Sequence, residues 1–269
     1  MNSSRIAAVA LALACLSVAA LPVHPAPRPA RTLTVFAAAS LSEAFKDAGR
    51  QFERGHPDVA VRFNFAGSQQ LAVQLEQGAS ADLVATADER TLDSLQAHGL
   101  LAGAPVVFAH NHLVVIVPRT NPARIARLQD LARRGVRLVI AADAVPAGHY
   151  ARQMLANLSR QPGFATGFAR QALANVVSEE ENVRAVVGKV QLAEADAGVV
   201  YRSDLSASLT RYVRAFEIPI AANVVAIYPV AVLREAREQA AAAQFIELLR
   251  SREGQALLVR RGFLPAGAR

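Results

Sequence analysis

The sequence predicts an α/β protein in which mostly parallel strands carry helices on both faces. Apolar, β-rich runs alternate along the chain with amphipathic helical segments, and the connections between them are short. Hydrophobic residues make up 52% and charged residues 19% of the 269 positions, an ordinary globular composition. A chain of this length has room for one large domain or two medium ones.

The distribution of charge argues against nucleic acid as a partner. The chain has 29 basic and 22 acidic residues, for a net charge of +7. Two of the basic residues are lysines, Lys46 and Lys189, and the arginines are scattered without a run of five or six. Nucleic-acid binding needs basic residues clustered on one face, so we expect none.

Residues 1–31 have the pattern of a signal peptide and leader. Arg5 follows a short polar stretch, and residues 6–21 are apolar, rich in alanine and uncharged. A membrane helix needs about 20 apolar residues, so this shorter span suits the core of a signal peptide. We therefore expect an exported protein whose mature chain begins between about residues 20 and 32.

The single cysteine, Cys15, lies inside this apolar segment. The mature chain would then contain no cysteine and form no disulfide. Lipid anchoring through Cys15 is the alternative. The preceding ALA fits that pattern poorly, because leucine usually stands further upstream of a lipidated cysteine.

Beyond residue 32 the apolar periodicity predicts the elements in order. TLTVFAA is a strand, and LSEAFKDAGRQFERG repeats its apolar residues at helical spacing as far as Gly55. VAVRFNFAG alternates as a strand does, and SQQLAVQLEQG follows as a helix. ADLVATA predicts a buried strand, and DERTLDSLQAHG predicts a helix with Asp88 at its start.

The second half of the chain continues the alternation. The further predicted strands are HLVVIVP, VRLVIAA, AGVVY and NVVAIYPVAVL. The further predicted helices are HYARQMLANL, NVRAVVGKVQLAEA and EQAAAAQFIELLRS.

No flexible linker interrupts this order, so two domains would be joined by short ordered crossings. The best candidates are VVFAHNHLVVIVP and IAANVVAIYPVAVL. Two crossings divide the chain into a discontinuous lobe I, residues 32–109 with 226–269, and a lobe II, residues 110–225. This arrangement allows a hinge and a cleft between the lobes.

Ligands in open α/β sheets bind beyond the carboxyl ends of strands, so the residues that follow the strands are candidates for a site. Ser40 follows the first strand and Ser68 the second. Later in the chain come the stretch 146–148, PAG, and Tyr201 at the end of AGVVY.

Each candidate also has an ordinary structural interpretation. Ser40 has the spacing of a capping box with Glu43, and Ser68 stands where an N-cap is expected. Tyr201 would be a packing residue whose hydroxyl finds a nearby acceptor.

The helix of SEEENVRAVVGKV has two candidate starts. Ser178 has the capping-box spacing with Glu181, and Asn182 is a second possible cap. The acidic run complements a helix dipole better than it suggests a metal site.

Five motifs together resemble one family. VFAAASL, FAGSQQLAVQLEQGASADLVATAD, VPAGHYA, ENVRAVVGKV and AGVVYRSD occur in the order seen in periplasmic molybdate-binding proteins of ABC importers. The resemblance covers nearly the whole mature chain, from about residue 32 to RRGFLP. It implies the two-lobed type II periplasmic-binding-protein fold. In that fold each lobe is a mixed, mostly parallel sheet flanked by helices, and the ligand cleft lies between the lobes.

The resemblance also implies a set of ligand-binding residues. Ser40 and Ser68 would contact a tetrahedral oxyanion directly. Ala147 and Val183 would act through their backbone N–H groups, and the Tyr201 hydroxyl would supply the remaining contact. The chain has GSQQ where relatives commonly have a serine-rich turn, which leaves contacts from Gly67 or Gln69 open.

The implied function is the capture of molybdate, and of tungstate as well, for delivery to an ABC permease in the inner membrane. The implied protein is periplasmic and monomeric. It is not an enzyme, and it has no cofactor and no metal-cation ligands.

A site built from neutral donors fits this ligand class. Free N–H groups and the dipole at helix N-termini stabilise an anion without lysine or arginine. Molybdate at neutral pH only accepts hydrogen bonds, whereas phosphate usually carries a proton and needs an acceptor.

Two alternatives remain at this point. The ligand could be another oxyanion such as sulfate or thiosulfate. The protein could also be an enzyme or a regulator, but no G-x-S-x-G, Walker, H-E-x-x-H or C-x-x-C motif occurs. His110 and His112 are the nearest hint of a metal site, and a third ligand is missing; polar hinge residues are the better interpretation.

Overall fold

Residues 31–267 are described by the structure, a computed structural model. The predicted signal peptide, its cleavage region and Cys15 lie outside the described residues. The strands are β1 Arg31–Ala38, β2 Val59–Ala66, β3 Leu83–Ala85, β4 Val106–Pro118, β5 Leu138–Ala141, β6 Val176–Glu180, β7 Ala197–Tyr201, β8 Val213–Glu217, β9 Val225–Val232 and β10 Leu264–Pro265. The helices are α1 Ser42–Gly55, α2 Ser68–Glu76, α3 Glu89–Ala97, α4 Pro146–Leu158, α5 Phe168–Ala174, α6 Val183–Gln191, α7 Gln239–Arg250 and α8 Arg252–Arg260.

The strands form one continuous path in the order β2-β1-β3-β9-β4-β7-β5-β6. The outer strands pair in parallel: β1 with β2 and β3, and β5 with β6 and β7. The central strands β9 and β4 pair antiparallel with each other and with their neighbours β3 and β7. Two groups of parallel strands therefore flank an antiparallel centre.

The long strand β4 joins the two groups. Its first part pairs with β9, as far as the pair His112 with Val225, and from Leu113 onward it pairs with β7. It also carries β8 and β10 as further antiparallel partners. Both sequence segments proposed as crossings, β4 and β9, thus lie at the centre of the path. The division of the chain at residues 110 and 225 stays a prediction.

Most of the predicted elements are present. The prediction lacks the helices α5 and α8 and the strands β6, β8 and β10. Strand β6 is the informative case, because it contains the sequence SEE that was expected to open a helix. Parallel pairing with β5 at the end of the path holds this charged stretch extended, with alternate side chains turned towards solvent.

The predicted caps at the first two candidate serines are wrong. Ser40 lies in a 3-10 turn, Ala39–Leu41, and helix α1 begins only at Ser42. Ser68 is the first residue of α2, and the residue in the N-cap position is Gly67. The hydroxyls of both serines have distant partners instead of local ones.

Among the caps predicted elsewhere, two are confirmed and one is wrong. Asp88 caps α3, and its carboxylate accepts the Thr91 N–H at 3.3 Å, as expected. Asn182 caps α6 and accepts the Ala185 N–H at 3.1 Å, which selects the second of the two proposed starts. The capping box at Ser178 is wrong, because that residue belongs to β6.

Helices pack on both faces of the first group of strands. Successive side chains of β1 point to opposite faces of the sheet, so Val35 lies on one face and Phe36 on the other. On the first face Phe45 of α1 contacts the rings of Phe108 and Phe245, with centroids 5.7 and 5.8 Å apart. On the second face the apolar stripes of α2 and α3 pack together. In the second group, Gly198 of β7 allows α6 to pack directly on the sheet.

A buried carboxylate ties β1, β3 and the approach to α7 together. Asp82 is 4% exposed, and its Oδ2 accepts the Thr34 N–H at 2.7 Å. Its Oδ1 accepts the N–H groups of Arg237 and Glu238 at 2.8 and 3.0 Å. One side chain therefore satisfies three backbone donors from the two ends of the chain.

We expect Asp82→Ala to destabilise the protein strongly, because it leaves three backbone N–H groups without an acceptor. At about 1–3 kcal/mol for each unsatisfied buried group, partly relieved by water, the loss should be at least about 3 kcal/mol. Urea unfolding measures this change. Asp93→Ala, at an exposed position of α3, is the matched control and should change stability by less than about 0.5 kcal/mol. Equal stability for both variants would contradict the role of Asp82.

Candidate functional site

The carboxyl ends of the parallel strands face one another across a cavity. Ser40 follows β1, Ser68 follows β2, Ala147 follows β5, Val183 follows β6 and Tyr201 ends β7. All five line the same cavity, so the structure brings together every residue of the predicted set. The remaining lining residues are Ala38, Ala39, Ala66, Gly67, Ala87, Val145, Pro146 and Asn182.

Among residues 31–267, those that line the cavity include no charged side chain. The empty space between the lining residues is about 210 Å³, a volume that includes space open to solvent. The run of small residues from Ala38 to Ser40 lets the backbone itself form part of the wall. Backbone groups and neutral hydroxyls are therefore the polar atoms available to a ligand.

The two serine hydroxyls of the site have hydrogen-bond partners within the protein. The Ser40 hydroxyl lies 2.9 Å from the hydroxyl of Tyr228, and both groups are buried. The Ser68 hydroxyl oxygen accepts the N–H of Ala87 at 3.1 Å. Because that bond uses the oxygen as an acceptor, the hydroxyl hydrogen of Ser68 stays available as a donor.

Three helices begin at the cavity. Ser68 is the first residue of α2, Ala147 the second of α4 and Val183 the first of α6. The first N–H groups of a helix have no partner within it, and the helix dipole places partial positive charge at the same point. Three such termini around one small cavity would stabilise an anion placed there.

Tyr201 provides the most unusual group of the site. The residue is 1% exposed, and its hydroxyl has no hydrogen-bond partner. Burial raises the pKa of this phenol well above its ordinary value, so it remains a neutral donor. A buried, unsatisfied hydroxyl on a cavity wall costs free energy until something in the cavity accepts its hydrogen.

Next to the lining residues Gly67 and Asn182, hydrogen bonds join the two groups of strands, and we call this edge of the cavity its mouth. Gln69 Nε2 of α2 donates to the backbone carbonyl of Glu181 at 2.9 Å, and Gln70 Nε2 donates to the Glu181 carboxylate at 3.0 Å. Gln70 also accepts the Gly67 N–H through Oε1 at 2.9 Å. The GSQQ sequence thus joins the start of α2 to Glu181, the residue before the N-cap of α6. The Gly67 N–H is already satisfied by Gln70, so we place the role of this turn in closure.

A buried carboxylate lies behind Tyr201. Asp204 is 1% exposed, and its Oδ2 accepts the Tyr201 N–H at 3.0 Å. Its Oδ1 has no hydrogen bond, and the nearest cation is Arg184 Nη1 at 3.9 Å. Burial raises the pKa of Asp204 to about 7, against the opposing effects of Arg184 and the Tyr201 N–H.

The histidine pair does not form a metal site. His110 Nδ1 lies 3.2 Å from the Pro265 carbonyl, and burial lowers the pKa of His112. Within residues 31–267 there is no group of three or more His, Cys, Asp or Glu side chains placed to hold a metal ion.

Sequence reasoning missed the residues behind the cavity wall. Tyr228, Asn111 and Asp204 are buried polar residues outside the lining of this cavity. Tyr228 meets Ser40, 188 positions away, and Asn111 meets Tyr228, 117 positions away, whereas Asp204 accepts the N–H of nearby Tyr201. A polar residue inside an otherwise apolar crossing strand, such as Asn111 in VVFAHNHLVVIVP, was the one available signal.

Residues 33–264 match the family of bacterial extracellular solute-binding proteins. The chain belongs to this family. It is 40% identical over 261 residues to the molybdate-binding protein ModA of Mycobacterium tuberculosis, covering 97% of this chain and 95% of that one. This is a family of solute-binding transport components and not of enzymes.

Solved structures show the same fold. The periplasmic molybdate-binding protein of Azotobacter vinelandii superposes with a TM-score of 0.74 at 20% identity, over 86% of this chain and 98% of that one. The sulfate-binding protein SubI of Mycobacterium tuberculosis gives a TM-score of 0.75 at 19% identity, over 88% of each chain. The two-lobed periplasmic-binding-protein fold expected from the sequence is confirmed. Among residues 31–267, no helix is both long and apolar enough to span a bilayer.

We expect Asp204 to lower the stability of the protein as the pH rises. Its pKa is raised from 3.8 to about 7 in the folded state, so the folded protein keeps a proton that the unfolded chain releases between these values. Stability should therefore fall through this range, by about 3 kcal/mol between about pH 5 and pH 8 at 1.36 kcal/mol per unit. Asp204→Asn keeps the acceptor for the Tyr201 N–H and should remove this loss.

Urea unfolding of both proteins at the two pH values measures the difference. Asp93→Asn, at an exposed position of α3, is the control and should follow the wild type. A pH profile unchanged by Asp204→Asn would show that Asp204 is ionised in the folded protein at pH 5.

Proposed function

We propose that this protein captures molybdate, and tungstate as well, in the cleft between its two lobes and delivers it to the permease of an ABC importer. The observation that carries the proposal is the Tyr201 hydroxyl, which is fully buried on the cavity wall and has no partner. A ligand that accepts a hydrogen bond from this hydroxyl supplies the acceptor that the protein does not provide. The 40% identity to ModA of Mycobacterium tuberculosis, a molybdate-binding protein, supports molybdate as that ligand.

The proposed contacts come from Ser40, Ser68, Ala147, Val183 and Tyr201. Two hydroxyls, two N–H groups at helix starts and one phenol make a set in which every group can donate. A dianion without protons satisfies such a set completely.

The same set discriminates against a protonated oxyanion. Phosphate presents an O–H that needs an acceptor, and in this cavity it meets a donor. An unmatched buried group costs roughly 1–3 kcal/mol, or about 5- to 150-fold in affinity.

Sulfate is the alternative ligand, because it too is a pure acceptor. The likeness to the sulfate-binding protein SubI is 19% in sequence and concerns the fold alone. Molybdate is therefore the better-supported ligand, and exclusion of sulfate would rest on the size of the closed cavity.

The mechanism we propose follows from the two-lobed fold. The anion first binds the donors of lobe I, Ser40 and Ser68. Lobe II then closes with Ala147, Val183 and Tyr201, and the contacts of Gln69 and Gln70 with Glu181 hold the mouth shut. The closed form presents both lobes together to the permease.

The setting we propose is the periplasm, in agreement with the family of extracellular solute-binding proteins. We propose that the protein acts as a monomer and without a cofactor or nucleic acid. Molybdate is its cargo, held by hydrogen bonds and not by direct metal coordination.

Isothermal titration calorimetry of the mature protein tests the function and the role of Tyr201 together. Molybdate should bind one to one, and the binding should survive excess sulfate and phosphate. Tyr201→Phe should weaken molybdate binding by about 1–3 kcal/mol, because only the hydroxyl that meets the anion is lost.

The ligand-free stability separates the site from a packing role. Tyr201→Phe keeps the ring and removes an unsatisfied buried hydroxyl, so its melting temperature without ligand should not fall. Displacement of the ligand by sulfate would indicate a sulfate binder. An absence of heat from folded, ligand-free protein would refute oxyanion binding altogether.

Closure of the mouth depends on Gly67. A Cβ at this position would lie 2.6 Å from the Glu181 carbonyl oxygen and from the Gln69 side chain. The Gly67 φ of −61° suits alanine, so Gly67→Ala adds this clash without backbone strain. We expect a loss of molybdate affinity of about 1–3 kcal/mol, mainly as faster release.

The matched control is Gly188→Ala in helix α6, where an added Cβ meets nothing within 4 Å. It should leave affinity unchanged and raise stability by up to about 1 kcal/mol. If Gly67→Ala releases molybdate no faster than the wild type does, the contact across the mouth is not part of closure.

A further inference from the structure

Two buried polar side chains lie behind Ser40, on the two strands that cross between the lobes. Tyr228 of β9 and Asn111 of β4 are both 0% exposed, and neither lines the cavity. The Tyr228 hydroxyl lies 2.9 Å from the Ser40 hydroxyl. Asn111 Nδ2 lies 3.5 Å from the same phenol oxygen and 2.8 Å from the Ser203 hydroxyl.

The backbone fixes the orientation of the Asn111 amide. The N–H of His112 donates to Asn111 Oδ1 at 2.9 Å. A backbone N–H can only donate, so the oxygen of the amide must face it. The NH₂ group then faces Tyr228 and Ser203, and its two hydrogens serve the two hydroxyl oxygens.

This orientation gives the chain of hydrogen bonds a direction. The Tyr228 oxygen receives a hydrogen from Asn111, so its own hydrogen is free for the Ser40 oxygen. Ser40 then accepts from Tyr228, and its own hydrogen turns to the cavity. A hydroxyl that accepts one hydrogen bond also becomes a better donor in the next.

We propose that Tyr228 and Asn111 are positioning residues that hold the Ser40 hydroxyl as a donor towards the ligand and thereby select fully deprotonated oxyanions over protonated ones. The inference rests on the proposed function, since it concerns the same site. It adds two residues that never touch the ligand, and it assigns the direction of one of the ligand contacts.

Two further observations support this role. Burial raises the pKa of the Tyr228 phenol above its ordinary value, so the phenol keeps the hydrogen that it donates. The Tyr228 ring also meets the Tyr201 ring edge to face, with centroids 5.8 Å apart. One residue thus contacts two of the five proposed ligand residues, one from each lobe.

The test is a double-mutant cycle between Tyr228→Phe and Ser40→Ala, with molybdate and phosphate as ligands. Tyr228→Phe keeps the ring and its packing against Tyr201. It should weaken molybdate binding about 2- to 13-fold, the equivalent of one hydrogen bond. It should also reduce the ratio of phosphate to molybdate dissociation constants, because Ser40 becomes free to accept. With Ser40→Ala present, it should change molybdate affinity less than about 2-fold.

Tyr212→Phe is the matched control, because Tyr212 is 54% exposed and lines no part of the cavity. It should change neither the affinity for molybdate nor the ratio of phosphate to molybdate dissociation constants. If Tyr228→Phe weakens molybdate binding equally with Ser40 and with alanine at position 40, Tyr228 acts only through packing. The inference would then fail, while the proposed molybdate binding would stand. Failure of the wild type to bind any oxyanion would overturn the proposed function and this inference together.

Asn111→Asp tests the direction of the chain separately. It keeps the acceptor for the His112 N–H and replaces the NH₂ donor with an acceptor, so the Tyr228 hydrogen should turn to position 111. Ser40 would then donate to Tyr228 and no longer to the ligand. In the Ser40→Ala background, Asn111→Asp should weaken molybdate binding clearly less than it does in the wild type. Only the general effect of the added charge remains in that background. An undiminished loss would refute the assigned direction.

Discussion

The site depends on one constraint: donors that cannot be satisfied within the protein are collected around a cavity without charge. Helices α2, α4 and α6 each begin there, and the first N–H groups of a helix have no internal acceptor. The Tyr201 hydroxyl adds a side-chain donor in the same state. Burying such groups costs free energy in the empty protein. In the proposed function an entering anion recovers this cost, which would couple closure of the lobes to the presence of ligand.

The sheet arrangement makes this collection possible. Parallel strands point their carboxyl ends to one edge, and the two parallel groups are joined by the antiparallel strands β4 and β9. The two edges can therefore face each other, with the connecting strands passing behind the cavity. Asn111 and Tyr228 lie on these connecting strands, so the polar contacts behind Ser40 are located where the lobes are joined.

The direction of hydrogen bonds, more than net charge, controls the chemistry of this site. A lysine or arginine would attract any anion, whereas a set of oriented neutral donors distinguishes anions by their protonation. One buried carboxylate lies beside Tyr201, where Asp204 and Arg184 are 3.9 Å apart. Burial keeps Asp204 largely protonated below about pH 7, which limits its repulsion of an anion under mildly acidic conditions.

The sequence by itself determined most of the fold and five residues that the fold brings to one cavity. Apolar periodicity located most strands and helices, and Ser40, Ser68, Ala147, Val183 and Tyr201 line one cavity because each follows or ends a parallel strand. Only the tertiary structure decided the partners of these residues. Ser68 bonds to Ala87 rather than capping α2, and Ser40 meets Tyr228, 188 positions away. The charged strand β6 is held by pairing with β5. Local periodicity reports which side of an element is apolar, but polar atoms that are distant in sequence meet only when the chain has folded.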